Sequence, residues 1–165
     1  MRLDFKSYSV EMDAEATRRA YEVLPRTDEA CTCSGCRNFS LAIGDALGEG
    51  GRRFFEELGV DPAKPTEACV DDALGGADGA LLYGAWYRLC GRIERRFELP
   101  PGTTGREWRD AMARDVGDAN VSFSEHVIGG KAGFGGGAIV QMDISARVPW
   151  VLDEPNTYLD TYLDE

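Results

Sequence analysis

The sequence predicts an α+β fold: an antiparallel sheet of about five strands with helices packed on one side, in a single domain over residues 1–152 followed by an acidic tail over 153–165. Three observations carry that prediction. Long stretches with apolar residues at every second position gather late in the chain, stretches of helical period gather early, and short turn-rich links join neighbouring strands. A chain of 165 residues suits one hydrophobic core.

Residues 3–12, LDFKSYSVEM, alternate apolar and polar, and the apolar phase changes between Phe5 and Tyr8. A strand with a bulge accounts for that change. Asp13 is then placed to cap a helix over DAEATRRAYEVLP, which Pro25 and its neighbour Leu24 terminate.

After the cysteine-rich stretch ACTCSGCRNF, the residues Phe39, Ala42, Ile43, Ala46 and Leu47 recur at helical spacing, and the first turn of that helix overlaps Cys36. Gly48, Gly50 and Gly51 break it. GRRFFEELG forms a second short helix with Phe54, Phe55 and Leu58 on one stripe and Gly59 at its end. VDPAKP is a turn, and TEACVDDAL, residues 66–74, is a short strand closed by Gly75 and Gly76.

From Leu81 the odd positions Tyr83, Ala85, Tyr87, Leu89, Ile93 and Phe97 are apolar, while Arg88, Cys90, Arg92, Glu94, Arg96 and Glu98 share the opposite face. That is one long strand, with Gly91 as a candidate bulge. Thr104 and Glu107 form a capping box for a helix carrying Trp108, Ala111 and Met112, closed by Gly117. NVSFSEHV and AIVQMDISARV then make a hairpin whose connection, GGKAGFGGG, is rich in glycine. That loop lacks the G-x-x-x-x-G-K-[ST] order of a phosphate-binding loop and is expected to be a flexible hairpin tip.

The formal net charge of −11 disfavours nucleic acid and anionic membranes and favours encounter with a basic protein. The first ten residues contain no apolar run of signal-peptide length, and no 18 apolar residues run together, so a cytoplasmic protein is expected. Five cysteines are then thiols, metal ligands or a redox site rather than a disulfide framework.

Cys31, Cys33 and Cys36 carry the chemistry most worth testing. Thiolates are good zinc ligands and zinc takes four, so C-x-C-x2-C can supply three, with Cys69, Cys90 or His126 as the fourth. Two alternatives stand beside zinc. The thiols can simply pack the approach to a helix, or Cys33 and Cys36 can form a redox pair at a helix start. A further pair, Cys90 with Arg88 and Arg92 on its face and His126 as base, is a candidate nucleophile and base. No Rossmann, calcium-loop or zinc-protease motif occurs.

The runs CTCSGCRNF, FFEELGVDPAKP, LYGAWYRLCGRIE and VPWVLDE resemble a loosely defined set of small bacterial proteins with a C-x-C-x2-C-x-N segment and a closing strand that ends in Pro-Trp, over roughly residues 20–154. The resemblance implies a bacterial cytoplasmic domain and transfers no activity and no site residue. The expected function is a non-catalytic, acidic binding protein with a zinc or thiol cluster, an immunity-type inhibitor of a basic partner being one form. The alternative is a small thiol-dependent redox protein or enzyme using Cys33 and Cys36, or Cys90 with His126.

Overall fold

A computed structural model describes residues 1–162 and confirms an α+β architecture with an antiparallel sheet. The strands are β1 (Arg2–Asp4), β2 (Tyr8–Met12), β3 (Glu67–Gly75), β4 (Ala80–Arg95), β5 (Ala113–Val116), β6 (Ala119–Ser124) and β7 (Ile139–Val148). The helices are α1 (Ala14–Tyr21), α2 (Thr27–Ala30), α3 (Ser34–Ala46), α4 (Gly48–Leu58), α5 (Gly105–Met112) and α6 (Tyr158–Tyr162). No helix among the described residues is long and apolar enough to cross a membrane.

The sheet has seven strands rather than about five, in the order β1-β2-β4-β7-β6-β5, with β3 also paired to β4. Two differences from the sequence reading supply the extra strands. The phase change after Phe5 is a tight turn closed by Phe5 N–H donating to the Tyr8 carbonyl at 2.8 Å, so residues 2–12 form a hairpin instead of one bulged strand. The chain after α5 does not run straight to a turn at Gly117 but first makes β5, a short polar strand on the sheet's end.

Strand β4 organises the rest. It pairs with β7 from Leu81 to Cys90, with β3 over its first half and with β2 over its last turn of strand. Its alternation holds as far as Leu89: Leu81, Tyr83, Ala85, Tyr87 and Leu89 are all buried, but Phe97, expected on the same face, lies past the end of the strand and is exposed. Gly91 pairs with Met12 in unbroken register, and its missing Cβ makes room for the Glu11 carbonyl, so close strand approach rather than a bulge explains it. The sheet curls enough for the Tyr8 hydroxyl on β2 to accept the Phe123 N–H of β6 at 2.9 Å and donate to the Met112 carbonyl at 2.8 Å.

Helix α1 starts where expected, with Asp13 Oδ1 accepting the Ala16 N–H at 2.9 Å. Helices α3 and α4 lay Phe39 against Tyr83 and Phe55 against Tyr87, with ring centroids 5.3 and 5.1 Å apart. Phe39, Ile43 and Leu47 of this apolar stripe are fully buried, each contributing up to about 1.5–3 kcal/mol. Gly50 and Gly51 do not break a helix; they lie within α4, and the missing Cβ of Gly117 lets the turn after β5 approach the backbone at Gly51. The thirteen-residue tail reading reaches past the described residues for positions 163–165. Of the rest, Asn156 Nδ2 donates to the Gly79 carbonyl at 2.8 Å and Tyr158 lies over Gly35.

Candidate metal centre

The site begins with two short-range caps. Helix α2 ends at Cys31, which is extended, and α3 begins after Cys33, whose φ of −64° and ψ of 156° are those of an N-cap. The Cys33 Sγ takes the acceptor role usual for a Ser or Asp oxygen, receiving the Cys36 N–H at 3.4 Å. Cys36 is therefore the third helical residue, the position from which a capping-box side chain reaches back over the N-cap. That pairing of helix positions is what turns C-x2-C into adjacent sulfurs.

Longer-range contacts hold the two helices at this angle. Arg26 Nη2 donates to Ser40 Oγ at 2.9 Å, and the Ser40 hydroxyl donates to Asp28 Oδ1 at 2.7 Å, which ties α2 to the second turn of α3. The Ser40 and Arg26 hydrogen bonds hold the Asp28 carboxyl below its ordinary range. Arg37 Nε donates to the Thr32 carbonyl at 3.1 Å and its guanidinium pairs with Glu154, so the loop between Cys31 and Cys33 is closed from the helix side.

The result is a group in which one ligand atom each from Cys31, Cys33 and Cys36 lies within 4.8 Å of the others. The Sγ atoms of Cys31 and Cys33 stand 3.3 Å apart. Cys31 and Cys33 are exposed and Cys36 is half-buried. The Cys31 thiol titrates below its usual range because the Cys33 N–H and the neighbouring thiols hydrogen-bond to its thiolate. Burial and the same neighbours push Cys36 well above it. The positive end of a 13-residue helix adds to the stabilisation of negative sulfur here.

The fourth-ligand candidates do not join this group. Cys69 lies on β3 with its Sγ 3.2 Å from Asp71 Oδ1, and burial with that carboxylate pushes its thiol up to about 11. Cys90 sits beside Thr17 of α1, whose Oγ1 accepts the Cys90 N–H at 3.1 Å. His126 is exposed just past the end of β6, not within a strand, and the charge it acts on is Asp143. Among the described residues no other His, Cys, Asp or Glu completes the group of three.

The surroundings of Cys90 differ from those its strand face suggested. The two expected cations have other partners: Arg88 turns to loop carbonyls, and Arg92 Nη2 pairs with Glu11 at 2.6 Å. Burial and Asp13 raise the Cys90 thiol, with Arg19 the cation that opposes them.

Sequence reasoning missed the second layer of the site. Asn38, fully buried, donates from Nδ2 to the Pro149 carbonyl at 3.1 Å and accepts the Val151 N–H at 2.8 Å. Tyr83 donates to the Gly35 carbonyl at 2.9 Å. The available hint was Asn38 two residues after Cys36, since Asn in a helix interior with no cap to make needs some partner elsewhere. No family model, curated protein or solved structure matches the chain.

Proposed function

We propose that this protein is a non-catalytic binding protein built around a thiolate metal site, with Cys31, Cys33 and Cys36 as ligands and zinc as the metal. The convergence of three cysteine ligand atoms within 4.8 Å at the start of α3 carries the reading. Zinc matches a sulfur-only donor set and has no redox chemistry to impose. It would also answer the electrostatic problem of the cluster, because a dication stabilises all three thiolates at once, including the one that burial opposes at Cys36. Its structural effect would be to lock the α2–α3 loop. The net charge of −11 supports a basic protein as the partner, and an immunity-type inhibitor of that partner is one form this acidic chain would take.

The test is metal analysis of protein purified under reducing conditions without chelator, followed by cobalt(II) titration of the stripped protein. One equivalent of metal and sulfur-to-cobalt charge-transfer absorption are expected, both lost in Cys31→Ser and Cys36→Ser. Absence of metal uptake by the reduced wild type would sink the proposal.

One observation favours a second reading, a thiol redox protein. The 3.3 Å separation of the Cys31 and Cys33 sulfurs, with the Cys31 thiol lowered, suits a pair that exchanges with an external disulfide. On this reading the reactive pair is Cys31 and Cys33 rather than Cys33 and Cys36. Incubation with oxidised glutathione distinguishes it: a peptide linking Cys31 to Cys33 supports exchange chemistry, whereas protection removed by a chelator supports the metal.

A further inference from the structure

A protein of net charge −11 buries one cation that no carboxylate neutralises. Arg88 lies in the middle of β4, on the face opposite Tyr87 and Leu89, and is 8% exposed. Its Nη1 donates to the carbonyls of Gly129, Gly130 and Ala132 at 3.4, 3.1 and 3.3 Å, and its guanidinium carbon sits 5.0 Å from the Phe134 ring centre. These partners are all neutral. Among the described residues Arg88 makes no ion pair, and its Nε–H is buried without an acceptor. A buried charge with unspent donors is expensive unless something compensates it.

A second cation shares its surroundings. A cavity of about 90 Å³ is lined by Arg88, Lys64 and Thr66, with Leu24, Pro25 and Pro65 among its apolar walls and no Asp or Glu. Lys64 Nζ spends one bond on the Tyr21 carbonyl at 2.8 Å, which leaves two of an ammonium's three donors. The volume is several times the roughly 15 Å³ that admits a single water. Two basic residues and a threonine thus line one small space whose wall contains no acidic residue.

We propose that this cavity binds a compact oxyanion, a carboxylate or phosphate group, held by Arg88 and Lys64 with Thr66 as a neutral donor. The planar guanidinium suits paired oxygen atoms and the ammonium acts as a point charge. The apolar walls restrict the ligand to a small anion or to the anionic end of a larger one. The site is separate from the cysteine cluster and does not depend on whether that cluster holds metal.

Calorimetric titration of the full chain with inorganic phosphate, and separately with acetate, at fixed ionic strength tests this. Saturable uptake of one equivalent of at least one anion is expected, weakened at least about tenfold in Lys64→Met and in Arg88→Met. Uptake of phosphate alone assigns the phosphoryl class; uptake of acetate assigns the carboxylate class. Because Arg88 also anchors the 129–132 loop, Lys64→Met, checked for native circular dichroism, decides the case if Arg88→Met fails to fold. No saturable uptake of either anion by the wild type, or uptake unchanged in folded Lys64→Met, overturns the proposal.

Discussion

Asn38 and Val151 are joined across 113 positions of the chain by a 2.8 Å hydrogen bond from the Val151 N–H to Asn38 Oδ1. The same amide holds the Pro149 carbonyl, so one buried side chain fastens the helix that carries Cys33 and Cys36 to the end of β7. The C-x-C-x2-C-x-N segment and the closing Pro-Trp strand are therefore one structural unit.

Asn38→Ala leaves the Pro149 carbonyl and the Val151 N–H without their partner and opens a small void. A loss of about 2–4 kcal/mol is expected. It should appear as a lower urea midpoint with an unchanged slope, since the surface exposed on unfolding hardly changes.

Thiol reactivity should follow the three environments. The thiolate is the nucleophile, so the thiol with the lowered pKa is alkylated first as pH rises from about 7. In the metal-free reduced protein, Cys31 should react with iodoacetamide before Cys69, whose thiol is pushed up to about 11, and before Cys36, which is raised further by burial. Peptide mass spectrometry over a time course reads the order. Equal rates at all three would contradict these environments.

Alkali should unfold the protein through its tyrosines. Tyr8, Tyr21, Tyr83 and Tyr87 are buried, and desolvation raises all four phenols above the ordinary value near 10.0. Below that value native and unfolded chains hold the same phenol protons. As pH rises through it, the unfolded chain releases protons that the native chain keeps, so stability falls by about 1.4 kcal/mol per pH unit for each such tyrosine. The phenolate absorbance of these four should accordingly rise together, in a step that coincides with the loss of near-ultraviolet circular dichroism.

Gly117 and Gly102 both have positive φ, 58° and 84°, but only one is crowded. A Cβ on Gly117 would collide with the backbone of Gly51 and Leu47, whereas one on Gly102 meets nothing within 4 Å. Gly102→Ala should cost about 1–2 kcal/mol from the left-handed backbone alone. Gly117→Ala should cost more, because the turn must retreat from α4; thermal denaturation of the two variants measures the gap.

The local grammar of this chain was readable. Asp13 and Thr104 cap their helices because a cap needs only its own next three residues, and Thr104 Oγ1 does accept the Glu107 N–H, at 3.3 Å. The buried face of β4 followed from alternation alone. The turn at Phe5–Tyr8 was hidden because it contains no Gly, Pro or Asn, and β5, with the sequence ARDV, offers too little apolar pattern to be seen. Gly50 and Gly51 read as helix breakers because propensity is a weak prior that tertiary packing overrides, and both lie inside α4.

At the candidate site, sequence by itself determined the proximity of Cys33 and Cys36. N-cap and third-residue positions meet in any α-helix, and two intervening residues fix that spacing. Cys31, at the end of α2, is held beside them by the contacts of Arg26, Asp28 and Ser40. Tertiary structure alone decided everything that spans the sheet: that Cys69, Cys90 and His126 stay apart from the cluster, that Asn38 grips the end of β7, and that Arg88 and Lys64 line the same cavity. A face of a strand can be read from its period, but its occupant is set by which distant segment the register and curl of the sheet bring to it, and no short-range rule encodes that.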